Sequence, residues 1–256
     1  MKEMTFYYEE TGQGEPLLLL HGLGSSTADW LLQMEAFAAQ YRVIVVDLRG
    51  HGRSTKPPGP YTIPMFAADT VNFLKALQIP AAHILGISLG GMIAFQLAVR
   101  SPEIVKSMVI VNSVPSMVVS GFADRWQLWR RSAIVELMGV RRMGEYLAPR
   151  LFPKAEQAEL RQEMIQRWAQ NDKRAYLAAM RSFVGWDVTG HLAAIACPTL
   201  VISADEDYWP LSEKEAYTAQ IPQARLLVIE DSRHATPVDQ PEIFNTAVLN
   251  FLSSVY

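Results

Sequence analysis

Short apolar runs, separated by glycine-bearing loops and amphipathic stretches, set the rhythm of this chain. Pro16-Leu17-Leu18-Leu19-Leu20 is wholly apolar, and Arg42 to Val46, His83 to Leu85, Val105 to Val111, Pro198 to Ile202 and Ala224 to Ile229 have the same character. Such runs are too short for buried helices and too continuous for half-exposed strands. They predict strands covered on both faces. Met4 to Glu9 has strand composition too and ends at a turn, Gly12-Gln13-Gly14. Between the runs, helical spacing covers Trp30 to Gln40, Pro64 to Leu77 (proline in the first turn), a stretch from about Leu89 through Ala98, Leu211 to Gln220 and Pro241 to Leu252.

From Pro115 to about Ala196 the alternation lapses and helical spacing takes over. Four helices are expected there, about Phe122–Met138, Arg141–Arg150, Lys154–Gln170 and Asp172–Val184, with Gly139, Pro153 and Asn171 as punctuation. Strands alternating with helices predict an α/β fold with a mostly parallel, doubly wound sheet. The expected organisation is a core of residues 1–114 and 197–256 and a helical insertion, 115–196. Loops after parallel strands gather along the carboxyl edge of such a sheet, where ligands bind. The insertion leaves there and is expected to lie over it as a cap.

Composition narrows the function classes. The chain has 256 residues, half of them hydrophobic, and a formal net charge of −3. A weakly negative chain with interspersed signs gives no reason to expect nucleic acid or an anionic membrane surface. One cysteine, Cys197, rules out an internal disulfide and reads as a small buried hydrophobe. No apolar run reaches membrane-spanning length and no signal-type apolar block follows Met1, so a cytoplasmic protein, monomer or homodimer, is the expectation.

The chemistry centres on Gly86-Ile87-Ser88-Leu89-Gly90-Gly91. A strand, a sharp turn with serine at its tip and a helix form a nucleophile elbow: the glycines leave room for a strained turn, and the helix N-terminus faces the serine. A serine hydroxyl needs a base, and the base needs an orienting partner. Of five histidines, His21 and His51 lie in glycine-rich loops suited to bonding backbone, His83 begins the elbow strand at its far end, and His191 lies near the seam between insertion and core. His234 follows the last strand and lands at the carboxyl edge. The orienting carboxylate is sought in Ala204-Asp205-Glu206-Asp207-Tyr208-Trp209-Pro210; Asp207 is the first choice, Asp205 the second, and Asp231 reads as a turn cap. The N–H of Leu89 and that of Leu23, after His21-Gly22, are candidate oxyanion donors.

His21-Gly22-Leu23-Gly24, Asp47-x-x-Gly50-x-Gly52-x-Ser54, the elbow, the Asp207 loop and His234 followed by Asp239-Gln240-Pro241 occur in this order. Together they resemble the α/β-hydrolase family, and most of all its small capped esterases and lactonases, including 3-oxoadipate enol-lactonases. The resemblance covers Pro16 to Leu252 except the insertion. It implies a cofactor-independent, metal-free serine hydrolase of small carboxylic esters or lactones, with Ser88 as nucleophile, His234 as base and Asp207 as its partner. Relatives on the same triad include perhydrolases (haloperoxidases), C–C bond hydrolases and acyltransferases, and a non-catalytic binding protein is a further alternative. Departures are Ala204, where the family usually has glycine, one residue fewer before Pro210, and Arg233, expected to face solvent.

Trp126 and Trp129, three apart in the insertion, are candidate pocket residues, as are Tyr208 and Trp209 beside the acid. Ten arginines in the insertion read mostly as solvated helix faces, although one could bind a substrate carboxylate.

Overall fold

The computed structural model describes residues 4–119 and 121–255. Seven strands form one sheet: β1 (Tyr8–Thr11), β2 (Glu15–Leu20), β3 (Tyr41–Val46), β4 (Ala82–Ile87), β5 (Val105–Val111), β6 (Thr199–Ala204) and β7 (Ala224–Ile229). Their order is β1-β3-β2-β4-β5-β6-β7. Only β1 runs antiparallel, against β3; every other pairing is parallel.

Period-two alternation explains why the central runs are apolar throughout. Leu18 and Leu20 face one layer, with Ile44 and Ile84, under helices α2 (Ile63–Ala76) and α3 (Leu89–Arg100). Leu17 and Leu19 face the other, with Val43 and Leu85, under α1 (Leu31–Ala38) and the last helix (Pro241–Ser253). All four leucines are fully buried. Covered on both faces, a strand favours apolar side chains, and a buried polar one needs a partner, as His83 of β4 has in Ser107 of β5. The edge strand β7 instead alternates between exposed and partly buried positions.

Local differences from the sequence expectation have physical reasons. The first strand lies later, at Tyr8–Thr11, because its ladder partner β3 sets its extent: Tyr8 pairs with Val46 and Thr11 with Val43. Residues before it bond to a loop instead, Thr55 N–H donating to the Thr5 carbonyl at 3.0 Å. The helix expected from Trp30 begins earlier as a 3-10 turn, Thr27–Trp30, capped by the Ser26 side chain.

Between β5 and β6 the chain is helical: α4 (Phe122–Leu151), α5 (Ala158–Ala169) and α6 (Lys173–Arg181). The first two helices expected here are one helix kinked at Gly139, whose φ of 82° and ψ of 170° only glycine adopts readily. Asp172 caps α6, accepting from the Ala175 N–H at 2.8 Å. Val135, Val140, Met143, Leu147, Tyr176 and Met180 form a small core of this segment's own. Its two ends run side by side as a neck, Met117 N–H donating to the Trp186 carbonyl at 2.8 Å and Gly185 N–H to the Met117 carbonyl at 2.9 Å. Trp186 also donates its indole N–H to Gln96 of α3 at 2.8 Å. Two further helices follow β6 and β7: α7 (Leu211–Thr218) and α8 (Thr236–Asp239), and the last helix, Pro241–Ser253, is α9.

Candidate active site

Ser88 stands alone between the end of β4 and the start of α3, with φ 54° and ψ −114°. This conformation is uncommon for a residue with a side chain and costs on the order of 1–3 kcal/mol, so the surroundings must over-determine it. They do so through the backbone. Ser88 N–H donates to the Val111 carbonyl at 3.0 Å, and its own carbonyl accepts from the Met92 N–H at 3.1 Å and the Ser113 hydroxyl at 2.7 Å. Space is equally constrained. A Cβ on Gly86 would stand 2.3 Å from the Gly90 carbonyl, and one on Gly91 2.5 Å from the Ser113 side chain. Leu89 opens α3, so its N–H has no intrahelical carbonyl to take. Gly22 lies alongside: its ideal Cβ would be 3.6 Å from the Ser88 Cβ. Leu23, Ser88 and Leu89 line one cavity.

The loop after β2 is held by buried polar groups. His21 is fully buried. Its Nδ1–H donates to the Gly22 carbonyl at 2.7 Å, and its Nε2 accepts from the Leu48 N–H at 3.0 Å. An imidazole used on both sides this way is neutral, and burial draws it down to about 4. His51 packs edge-on against it at 5.0 Å, and burial draws that ring down to about 3. Asp47 closes the same loops, its two oxygens each accepting a backbone N–H at 2.7 Å, from Thr27 and from Arg53. Neither histidine lines the cavity. His83 is buried against the Ser107 hydroxyl at 2.8 Å, near the start of β4, at the opposite end of that strand from Ser88.

Asp207 and His234 meet. Asp207 Oδ1 lies 2.6 Å from His234 Nδ1, and the carboxylate is wholly buried while the ring is 14% exposed. The other oxygen, Oδ2, accepts from the Lys214 ammonium, which also donates to the Ser203 hydroxyl at 2.9 Å. Burial pushes the Asp207 carboxyl up, but His234 and Lys214 outweigh it and hold the group at about 2. Lys214 itself is drawn down by burial, against the pull of Asp207. Asp205 is otherwise engaged: its oxygens accept the Asp231 and Ser232 N–H groups, each at 3.0 Å. Asp231 is exposed and pairs with Lys154 at 2.5 Å.

The His234 loop is pinned by Asn112, which sequence reasoning missed. Its side chain donates to the His234 carbonyl at 3.0 Å and to the Thr236 hydroxyl at 2.8 Å, and accepts the Ala204 N–H at 2.8 Å. One amide thus ties the ends of β5, β6 and the histidine loop. The signal available was a polar residue directly after a buried strand. Lys214 was missed as well, and a lysine between Glu213 and Glu215 on a helix carries no sequence signal of burial.

A cavity of about 260 Å³ lies between the sheet edge and the helices α4 to α6. Ser88, His234, Tyr208 and Trp209 line it with apolar side chains such as Leu147, Phe152 and Met164. Tyr208 lies over the His234 ring at 4.4 Å and Trp209 reaches it at 5.6 Å. Trp126 and Trp129 are not there, which corrects their assignment to the pocket. They stack on each other at 4.9 Å and are 51% and 59% exposed, because the face of α4 that carries them turns away from the cavity. Of the arginines, Arg131 and Arg167 line it. Arg167 is paired with Asp29 at 3.0 Å. Arg131 forms no ion pair among the described residues and lies over the Tyr208 ring at 5.9 Å. Arg233 pairs with Glu206 outside the cavity. Cys197 packs against the core, and burial pushes its thiol up to about 11. Among the described residues no cluster of His, Cys, Asp and Glu could hold a metal ion, and no helix is long and apolar enough to cross a membrane.

The family description "alpha/beta hydrolase fold" matches residues 15–241. The chain belongs to the α/β-hydrolase family. It is 32% identical over 254 residues to a protein of Azorhizobium caulinodans provisionally named as the carbamate hydrolase RutD, covering 97% of this chain and 95% of that one. It is 30% identical over 253 residues to 3-oxoadipate enol-lactonase 2 of Acinetobacter baylyi, covering 96% and 92%. A solved esterase of Thermogutta terrifontis, described with malate bound, superposes with a TM-score of 0.89 at 29% identity, covering 98% and 94%. Hydrolase activity is common to these α/β-hydrolases, while their named substrates differ.

Proposed function

We propose that this α/β-hydrolase cleaves carboxylic esters or lactones through an acyl-enzyme formed on Ser88. The observation that carries the reading is the convergence on one cavity of Ser88, in its strained turn, and of His234, bonded to the buried Asp207. In this reading His234 Nε2 takes the Ser88 proton as Oγ bonds to the substrate carbonyl carbon. The N–H groups of Leu23 and Leu89 hold the oxyanion. The carbonyl then re-forms as the single bond from its carbon to the alcohol oxygen breaks, and His234 gives its proton to the leaving alcohol; in a lactone that alcohol stays on the acyl chain. Water repeats the sequence, releasing the acid and restoring Ser88. Asp207 holds the imidazole with Nδ1 protonated and stabilises the imidazolium. Residues 115–196 act as a cap that closes the site against water.

The substrate we infer carries a free carboxylate. A largely apolar cavity in which Arg167 is taken up by Asp29 and Arg131 has no acidic partner among the described residues favours an anion, and Arg131 can bind it bidentately. Relatives named for an oxoadipate lactone and described with malate are in keeping with this.

A fluorophosphonate probe tests the site, and paired esters and lactones with and without a carboxylate test the substrate. Labelling and turnover are expected in the wild type and absent from Ser88→Ala. A preference for carboxylate-bearing substrates of about tenfold or more in kcat/KM should disappear in Arg131→Met. Turnover by Ser88→Ala would overturn the mechanism. Absence of labelling in the wild type would indicate a binding protein, and faster transfer to peroxide or an alcohol than to water a transferase.

A further inference from the structure

The lysine beneath the acid has no part in the scheme above, yet it is the most deeply buried cation described. Lys214 has no exposed side-chain surface, like Asp207. A lysine is rarely placed so unless it is paired, because an unpaired buried charge is expelled or neutralised. Three groups line up: the Lys214 ammonium on Asp207 Oδ2, and His234 Nδ1 at 2.6 Å from Oδ1. The Ser203 hydroxyl of β6 accepts a second hydrogen bond from the ammonium at 2.9 Å, so the lysine is fixed from two sides.

We propose that Lys214 is a positioning residue for the Asp207–His234 pair, clamping the carboxylate toward the ring and opposing a positive charge on the imidazole in the resting protein. The proposal rests on the reading of Ser88, His234 and Asp207 given above. Its electrostatic reason is a count of charges. With lysine and aspartate paired, protonating the ring leaves a buried cluster of net charge +1. Without the lysine, the same proton converts a lone anion into a neutral ion pair. Lys214 therefore keeps the base free of its proton to lower pH, while its hydrogen bond preserves the geometry the base needs.

The surroundings leave this balance to the three groups. On α7, Tyr217 donates its hydroxyl to the Ser113 carbonyl at 3.1 Å, and Glu213 is one residue from Lys214. The ring of His234 otherwise meets Tyr208 and Trp209, with Arg131 of α4 beyond Tyr208. In the same loops Glu206 pairs with Arg233 and Asp231 with Lys154, while Asp205 accepts the Asp231 and Ser232 N–H groups and Asp239 that of Arg233.

The test compares the wild type with Lys214→Met, which removes charge and hydrogen bond, and Lys214→Gln, which removes the charge alone. The acid limb of the kcat/KM profile is expected to move to higher pH by about one unit in both variants, the lower end of the effect of a neighbouring charge. Titration of the His234 ring by NMR should move with it. A limb and a ring titration unmoved in both variants would overturn the proposal, as would recovery of wild-type behaviour by glutamine, since a hydrogen bond alone would then suffice. A wild type not labelled at Ser88 would defeat the functional reading while the ring titration still decided the role of Lys214. If neither variant folds, NMR of the wild-type Lys214 amine decides: an ammonium throughout the ring titration is expected, and a neutral amine overturns the idea.

Discussion

The carbonyl oxygen of Leu20 occupies the space that a side chain at Gly90 would need, an ideal Cβ standing 2.0 Å from it. This contact brings the first turn of α3 against β2 and sets how near Leu89 comes to the loop of Gly22 and Leu23. Gly90→Ala must separate the two elements. The expected loss is about 2–3 kcal/mol of unfolding free energy, with weaker labelling of Ser88 in whatever folds. Gly190→Ala is the control, since nothing lies within 4 Å of its Cβ. Its effect should stay within about 0.5 kcal/mol. Equal stability of the two variants in urea titrations would contradict the packing argument.

Asp47 joins two loops through its carboxylate, which is 1% exposed. Asp47→Ala leaves the Thr27 and Arg53 N–H groups without their acceptor, at an expected cost of about 2–4 kcal/mol. Asp47→Asn retains one acceptor oxygen but turns its own NH2 toward the other N–H, so a comparable loss is expected. Chemical denaturation measures both, and a loss within about 0.5 kcal/mol in either variant would mean that the acceptors are not what matters.

Stability should fall on the acid side of neutrality, before the carboxylates titrate. His21 and His51 are held neutral by burial, at about 4 and about 3. In the unfolded chain they protonate near the ordinary value of about 6.5. Between those limits the unfolded state binds more protons, so stability rises with pH across that window and is lost as pH falls through it. Each histidine contributes a slope of up to about 1.4 kcal/mol per pH unit. Asp207, held at about 2, adds its own loss only as pH falls from about 4 toward that value. Urea titrations at pH 7, 6 and 5 check this, and no change in stability across them would contradict the neutral, buried state of both rings.

Tyr208 lies over His234, whereas Trp126 and Trp129 lie outside the cavity. Tyr208→Ala is expected to change kcat/KM on an aryl ester by about tenfold. Trp126→Ala and Trp129→Ala should remain within about twofold of the wild type. Steady-state kinetics on the three variants separate the cases, and a tenfold loss in either tryptophan variant would return those residues to the site.

The sequence by itself determined the order of strands and helices, the parallel sheet and the tight turn at Ser88. Those are local properties: a run such as Leu17 to Leu20 can be satisfied only between two layers, and glycine at 86, 90 and 91 signals close approach of backbone. His234 and the acidic loop were also legible, because loops after parallel strands are carried to one edge. Tertiary structure decided what depends on orientation and depth. It separated Asp207 from Asp205, since both lie in one loop and only the fold shows which carboxylate turns toward His234 and which binds backbone N–H groups. It turned Trp126 and Trp129 outward and Arg131 inward, a matter of how α4 is rotated in its packing, which period alone leaves free. It also buried Lys214 beneath Asp207, where two buried charges stabilise each other although each alone belongs in water.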